Sequence, residues 1–333
     1  MPGPTPLAVV GGRLATGLVD VTSDLSALDG PGFWAVVVPF DAPPVCARFE
    51  HVRPATPWPG ARWAGPAPSA WRSSLDRPAF CAGVAAVRAA ITEGDVYQVN
   101  LTRRLSAPLP PGADVAALGA ALATGNPAPY SAVVRLPALG VHVASASPER
   151  FLSRSGPVVE SRPVKGTAAT AGGFLPKDRA ENVMIVDLVR NDLGRGCEYG
   201  SVEVAHLCRV ERHPGLHHLV STVRGRLRAD AGWPELIAAT FPPGSVTGAP
   251  KLAAVEMIRK LEPVPRGPYC GAVGWVDGDA GRGDLNVAIR TLWIEAGELH
   301  LGTGGGITWD STEEGEWEET ELKARRLLAV ASS

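Results

Sequence analysis

Glu316, Glu319 and Lys323 stand at i, i+3 and i+7 near the end of the chain, a spacing that puts them on one face of a helix. Two carboxylates one turn apart can share a hard cation such as Mg²⁺, which takes oxygen ligands and keeps waters. The same pattern also describes a solvated acidic face with a supporting i,i+4 pair. Glu181 lies near the start of another expected helix, where the dipole stabilises a carboxylate. Lys165 sits between Arg162-Pro163-Val164 and Gly166-Thr167. It is an ordinary turn lysine unless burial or a cationic neighbour lowers its pKa and makes it a nucleophile. Glu149, in Ser147-Pro148-Glu149-Arg150-Phe151, is a general acid or base if desolvated and otherwise an arginine's partner. His218 either donates to a substrate hydroxyl or is a satisfied core histidine.

Two glycine-bearing segments suit anions. Ser245-Val246-Thr247-Gly248-Ala249-Pro250-Lys251 runs into an expected helix, whose free N–H groups can hold a carboxylate; the plain alternative is a helix start with Thr247 as N-cap. Gly304, Gly305 and Gly306 let backbone approach a ligand closely or form a loose turn.

Helices and strands must bring these residues together. Asp76 is a fitting N-cap for a helix whose apolar face is Phe80, Val84, Val87 and Ile91. Further helices are expected over 178–193, 251–261 and 314–331. Strands are expected over 33–39, 96–101, 158–164, 269–277 and 287–295, with the turn 278–281 between the last two and a hairpin over 133–146. Residues 54–68 read as a long loop and the best candidate boundary, with 1–75 as an N-terminal segment completing a sheet and 76–333 as the catalytic domain. The mixed order of elements favours α+β over a doubly wound sheet.

The 333 residues are 45% hydrophobic and 20% charged, with a formal net charge of -2, which is ordinary globular composition. Nothing in the charge pattern suggests nucleic acid or a membrane surface as partner. No signal peptide and no apolar run of about 18 residues is evident. The five cysteines are scattered, against a disulfide framework or a zinc site. A cytoplasmic enzyme or binding protein fits.

Taken in order, nine segments resemble the chorismate-binding family, which includes anthranilate synthase large subunits, aminodeoxychorismate synthase component I, isochorismate synthases and salicylate synthases. The first four are Gly94-Asp95-Val96-Tyr97-Gln98-Val99-Asn100-Leu101, the Glu149 segment, the Lys165 segment and Glu181-Asn182-Val183-Met184-Ile185-Val186-Asp187-Leu188. After them come Arg190-Asn191-Asp192-Leu193-Gly194-Arg195, His218-Leu219-Val220-Ser221, Gly244 to Lys251, Ala288-Ile289-Arg290-Thr291 and Glu316 to Ala324. The resemblance covers about Asp76 to Ala331. It implies two large antiparallel sheets packed together and flanked by helices, with the active site in a central cleft.

By that resemblance, Glu181, Glu316 and Glu319 hold Mg²⁺, which holds the ring carboxylate of chorismate. Tyr269, Arg290, Gly304, Gly305, Gly306 and Lys323 surround the carboxylates, with Thr247 among the substrate-binding residues, and Thr167 and His218 lie near the ring. Glu149 is the general acid and base. The family's water-using members resemble one another in a lysine at the position of Gln98, whereas ammonia-using members carry glutamine. At the position of Lys165 anthranilate synthases have a small residue, while aminodeoxychorismate synthases have P-I-K-G-T. The resemblance therefore implies covalent catalysis by Lys165 and amination of chorismate to 4-amino-4-deoxychorismate, on the route to 4-aminobenzoate and folate. Ammonia is expected from a separate glutamine amidotransferase subunit, since no cysteine lies in a Gly-x-Cys-x-Gly context, and no Leu-Leu-Glu-Ser motif for tryptophan control is found. Alternatives are an anthranilate or 2-amino-2-deoxyisochorismate synthase large subunit, or a non-catalytic chorismate-fold binding protein.

Overall fold

The computed structural model describes residues 4–56, 62–168, 170–213 and 216–333; part of the expected loop over 54–68 lies outside them. Six α-helices are described: α1 (Arg77–Glu93), α2 (Val115–Gly125), α3 (Pro176–Gly196), α4 (Trp233–Thr240), α5 (Lys251–Leu261) and α6 (Glu313–Ala331). The Asp76 side chain accepts from the Ala79 N–H and caps α1, satisfying a donor that the first turn leaves free. Gly94 ends α1 at φ +86°, a left-handed conformation that glycine adopts without a Cβ penalty. Phe80, Val84 and Val87 are fully buried, and each such side chain contributes roughly 1.5–3 kcal/mol of apolar burial.

All the strand pairings are antiparallel and form one continuous ribbon. From one end it runs Gln98–Pro108, Glu298–Ile307, Thr291–Glu295, Val141–Ser147, Tyr130–Leu136, Leu7–Val10 and Arg13–Thr22. It continues through Val45–Pro54, Phe33–Val38, Ala272–Asp277, Arg282–Val287, Arg150–Ser155, Val158–Arg162, Leu216–Arg226 and Glu203–His213. The ribbon doubles back, so that Tyr130–Leu136 touches Ala272–Asp277. Ala132, Val134 and Leu136 then share one core with Val36 and Val273. Val133 faces the other way, into a second core with α2 and α6, as the two-residue strand period requires. The expected two packed antiparallel sheets with flanking helices are therefore present as the two arms of this ribbon.

The structure departs from the sequence reading at three elements. The strand expected over 287–295 is broken: Arg282–Val287 ends at its expected first residue, Arg290 turns the chain at φ +51°, and a separate strand runs Thr291–Glu295. The strand expected from 269 begins at Ala272. Gly304, Gly305 and Gly306 are strand, paired with Thr102, Leu101 and Asn100, so the glycine run is no loose turn.

Helices clothe the ends of the ribbon unequally. α6 packs on Glu298–Ile307 at one end, and α3 packs on Leu216–Arg226 and Val164–Ala168 at the other. Ile185, Val186, Val189 and Leu193 form the buried stripe of α3, and the Asn182 amide within that stripe donates to the Leu219 carbonyl at 3.0 Å.

Candidate active site

The two ends of the ribbon meet at Gly306. A Cβ there would overlap the Gln98 amide from the neighbouring strand and stand 3.4 Å from Lys165 Nζ, which comes from the opposite end. Only glycine leaves room for both, so the value of Gly306 is close approach rather than backbone freedom. One residue back, a Cβ on Gly305 would lie 2.8 Å from Glu316 Oε2, 3.8 Å from Glu319 Oε1 and 3.9 Å from Lys323 Nζ. Lys323 Nζ donates to the Gly304 carbonyl at 2.9 Å and pairs with Glu319 at 2.7 Å. The three glycines thus form a floor on which side chains from α6 and the two sheet ends converge.

The charges here are displaced by burial. Desolvation lowers the pKa of Lys165, with Lys323 adding to it, against the pull of Glu181, Glu149 and Glu319. Burial pushes Glu149 up to about 7, although a hydrogen bond from Ser245, the Lys165 charge and the Val164 N–H oppose it. Both groups therefore move toward their neutral forms, as burial without full compensation demands. Burial raises Glu181 and Glu316 as well, and Glu319 adds to each. Burial alone would raise Glu319, but Lys323, Lys177 and Lys165 together outweigh it and hold it low. Gln98 is buried, and neither its oxygen nor its nitrogen has a hydrogen-bond partner among the described residues.

Glu181 from α3 and Glu316 from α6 are half-buried and Glu319 from α6 is exposed, and the three carboxylates lie within electrostatic reach of one another. Glu316 accepts from the Ser311 hydroxyl at 2.5 Å. Among the described residues no three His, Cys, Asp or Glu side chains stand as a ready-made metal shell. Two or three carboxylates with waters are nevertheless the donor set a hard divalent cation takes, and mutually repelling carboxylates at the mouth of a cleft favour its binding.

Other expected site residues fall around this centre. His218 is buried on Leu216–Arg226, opposite the Thr167 backbone. Arg290 is part-buried, with its pKa lowered by burial and by Arg326. It makes no ion pair and no side-chain hydrogen bond among the described residues. Thr247 does not cap α5, whose N-cap is Pro250; its hydroxyl is shared between the Pro243 and Gly244 carbonyls. Tyr269 lies against Gly302 in a wall with Arg103 and Trp293. Sequence reasoning passed over Ser245, which reaches Glu149, and Lys177, whose charge acts on both Glu181 and Glu319. The i,i+4 spacing of Lys177 and Glu181 was the available signal for the second.

The fold and part of the sequence have known counterparts. A putative 2,3-dihydroxybenzoate-specific isochorismate synthase from Bacillus anthracis matches with TM-score 0.79 and 25% identity, over 98% of this chain and 95% of that one. The menaquinone-specific isochorismate synthase from Escherichia coli matches with TM-score 0.80 at 18% identity, over 98% and 88%, and so speaks to the fold alone. Anthranilate synthase component 1 1 of Haloarcula marismortui is 43% identical over 78% of this chain and 54% of its own length. Aminodeoxychorismate synthase component 1 of Klebsiella aerogenes is 42% identical over 78% and 59%. The chain is thus matched to little more than half the length of these relatives. Residues 57–329 match the family described as chorismate binding enzyme, and the chain belongs to that family.

Proposed function

We propose that this chain aminates chorismate at C4, forming 4-amino-4-deoxychorismate, and that Lys165 is the nucleophile. The observation that carries the reading is the half-buried Lys165, its pKa lowered by desolvation, standing beside the unpartnered Gln98 amide over Gly306. A lysine whose ammonium form is disfavoured by its surroundings is a better nucleophile than a solvated one. Relatives named aminodeoxychorismate synthase component 1 at 40–42% identity support it. The anthranilate synthase relative favours a second reading, amination at C2, and Lys165 weighs against that one.

In the proposed reaction Lys165 Nζ bonds to C2 of the ring, both ring double bonds shift by one position, and the C4–O bond breaks. Glu149 gives its proton to the departing oxygen, which leaves as water. Ammonia then bonds to C4, both double bonds shift back, and the C2–N bond to Lys165 breaks, restoring the free amine. The new C4 ammonium either returns its proton to Glu149 or leaves with it. Gln98 has no base to offer, which suits ammonia, since ammonia attacks without deprotonation. Arg290, Lys323 and the Gly304–Gly306 backbone would receive the substrate carboxylates, and Thr167, His218, Thr247 and Tyr269 would complete the pocket walls. Glu181, Glu316 and Glu319 would hold Mg²⁺, which when bound supplies a charge that fixes the ring carboxylate.

Ammonia would come from a separate glutamine amidotransferase, in keeping with relatives named as component 1. The test is product identity. Chorismate, ammonium and Mg²⁺ should give a product with the mass of an aminodeoxychorismate that a 4-amino-4-deoxychorismate lyase converts to 4-aminobenzoate. Glutamine should support turnover only with an amidotransferase added. Anthranilate or isochorismate as main product would overturn the assignment.

A further inference from the structure

Behind Glu149, on the side of α3 and α4, lies a cavity of about 20 Å³. That is room for one water. Glu149, Arg150, Ser161, Asp192, Thr240 and Ser245 are its polar walls, with Arg150 paired to Glu160 and Asp284, and Val189, Leu193 and Pro243 are among its apolar ones. Such a space stays dry when apolar and holds water when several polar groups converge on it. Here Glu149, Ser245 and Asp192, itself buried, face the same space, and the Ser245 hydroxyl opposes the rise of the Glu149 pKa.

Asp192 is a buried charge that the proposed reaction does not use. Lys251 Nζ holds its Oδ2 at 2.5 Å and also donates to the Thr240 carbonyl at 2.9 Å, and Arg195 reaches its Oδ1 at 3.4 Å. A carboxylate has about four lone-pair sites, so capacity remains for a further donor from the cavity. Burial pushes Asp192 up and Lys251 opposes it.

We infer that this cavity holds an ordered water joining Ser245 to Asp192, and that Asp192 is a positioning residue for the Glu149 proton. The chain runs one way when Glu149 is ionised. The water donates to Asp192 and to Ser245 Oγ, and Ser245 donates to the Glu149 carboxylate. Each bond polarises the next. Lys165 and Cys270 are the other titratable groups acting on Glu149, and neither opens onto this cavity. The chain matters chemically because a product that leaves as an ammonium carries the proton away. Glu149, buried at the cleft wall, must then regain one before the next turnover, and the cavity gives it a route that does not cross the substrate site.

The inference rests on Glu149 being the general acid of the proposed reaction, so one arm of the test needs no activity. A high-resolution crystal structure of the native chain without substrate should show a water bonded to Ser245 and Asp192; an empty cavity would overturn the inference whatever the enzyme makes. The second arm is a double-mutant cycle on the pH profile of kcat. Asp192→Asn should move the midpoint assigned to Glu149 by about half a pH unit or more, and the shift should vanish in the Ser245→Ala background. An equal shift in both backgrounds would mean that Asp192 acts through space or through the fold, not through Ser245. If Asp192→Asn fails to fold, Ser161→Val replaces it. This change narrows the cavity, leaves the Asp192 ion pairs intact, and should give the same non-additive shift; additivity there would also overturn the inference.

Discussion

Two buried charged clusters lie a short way apart on the strand Gln98–Pro108, and they have opposite fates. At Arg266 every group is answered. Its guanidinium donates to both oxygens of Glu262, to the Val246 carbonyl at 2.8 Å and to the Asn100 carbonyl at 2.7 Å, and it stacks on Phe40. Glu262 also accepts the Thr102 N–H at 2.8 Å. Burial would lower the Arg266 pKa, yet Glu262 more than offsets it and the group is held well above its ordinary value. At Lys165 and Glu149, burial wins instead. The lysine falls, the glutamate rises to about 7, and the neighbouring Gln98 amide bonds to nothing. Burial alone therefore does not mark a functional charge. A buried charge whose hydrogen bonds are complete is scaffold, and one driven toward neutrality in unsatisfied surroundings is poised to react.

The comparison breaks most sharply if substitutions at the two clusters have the same kind of effect. Lys165→Ala should lose nearly all C4 amination while binding chorismate and keeping its melting temperature. Glu149→Gln should lower kcat by about 10²–10⁴-fold, the usual range for a general acid. Both are read by product formation alongside thermal unfolding. Near-native turnover in Lys165→Ala would remove it as nucleophile and leave the family placement untouched.

Glu262→Gln should do the reverse. It strands the Arg266 charge in a buried site, which costs about 3–5 kcal/mol. Chemical denaturation should show that loss. Whatever fraction remains folded should aminate normally, because no group at Gly306 has been altered.

Much of this contrast was readable from the chain, but not its cause. The cap at Asp76, the α1 face and the stop at Gly94 are local signals, and α1 follows them. The candidate residues Lys165, Glu149, Glu181 and Glu319 were named from motifs. That Lys165 is desolvated was not legible. Its surroundings come from α3 at one end of the ribbon and from α6 and the Gly306 strand at the other, and no local pattern encodes that meeting. The glycine run stays open in the sequence between close approach and a loose turn for the same reason: its lack of side chains answers to Gln98 and Lys165 above it, and its paired strand supplies the extended backbone. The break at Arg290 had no signal either, since arginine at φ +51° is held there by its surroundings rather than by preference.

A smaller effect separates the clusters by pH. An acid whose folded pKa exceeds its unfolded value binds its proton more tightly when folded. Its stabilising contribution is complete below the unfolded value and is lost as pH rises through the folded one. For Glu149 the loss should run from the usual carboxylate range up through about 7, and amount to about 2–4 kcal/mol. Glu149→Gln has no such proton, so native stability relative to this variant should fall as pH rises across that window. A difference that stays flat from acid to neutral pH would show that Glu149 is an ordinary carboxylate. Arg266, charged in both states, adds nothing to this slope.

The smallest effect concerns Gln98. Its side chain is buried, and both polar atoms lack partners among the described residues. An amide in that state carries a desolvation penalty of roughly 1–3 kcal/mol, which an apolar side chain of the same shape does not incur. Methionine has nearly the same length and flexibility, and can lie over Gly306 where the amide does. Gln98→Met should therefore stabilise the fold, by about 1–2 kcal/mol after packing losses, and should slow amination by removing the polar lining where ammonia must approach. The same kind of change at the satisfied cluster, Glu262→Met, should destabilise. Denaturant midpoints for the two variants, measured together, decide the matter. A destabilised Gln98→Met would show that the amide has partners in solution, and the line drawn between scaffold and reactive charge would then have to rest on Lys165 and Glu149 alone.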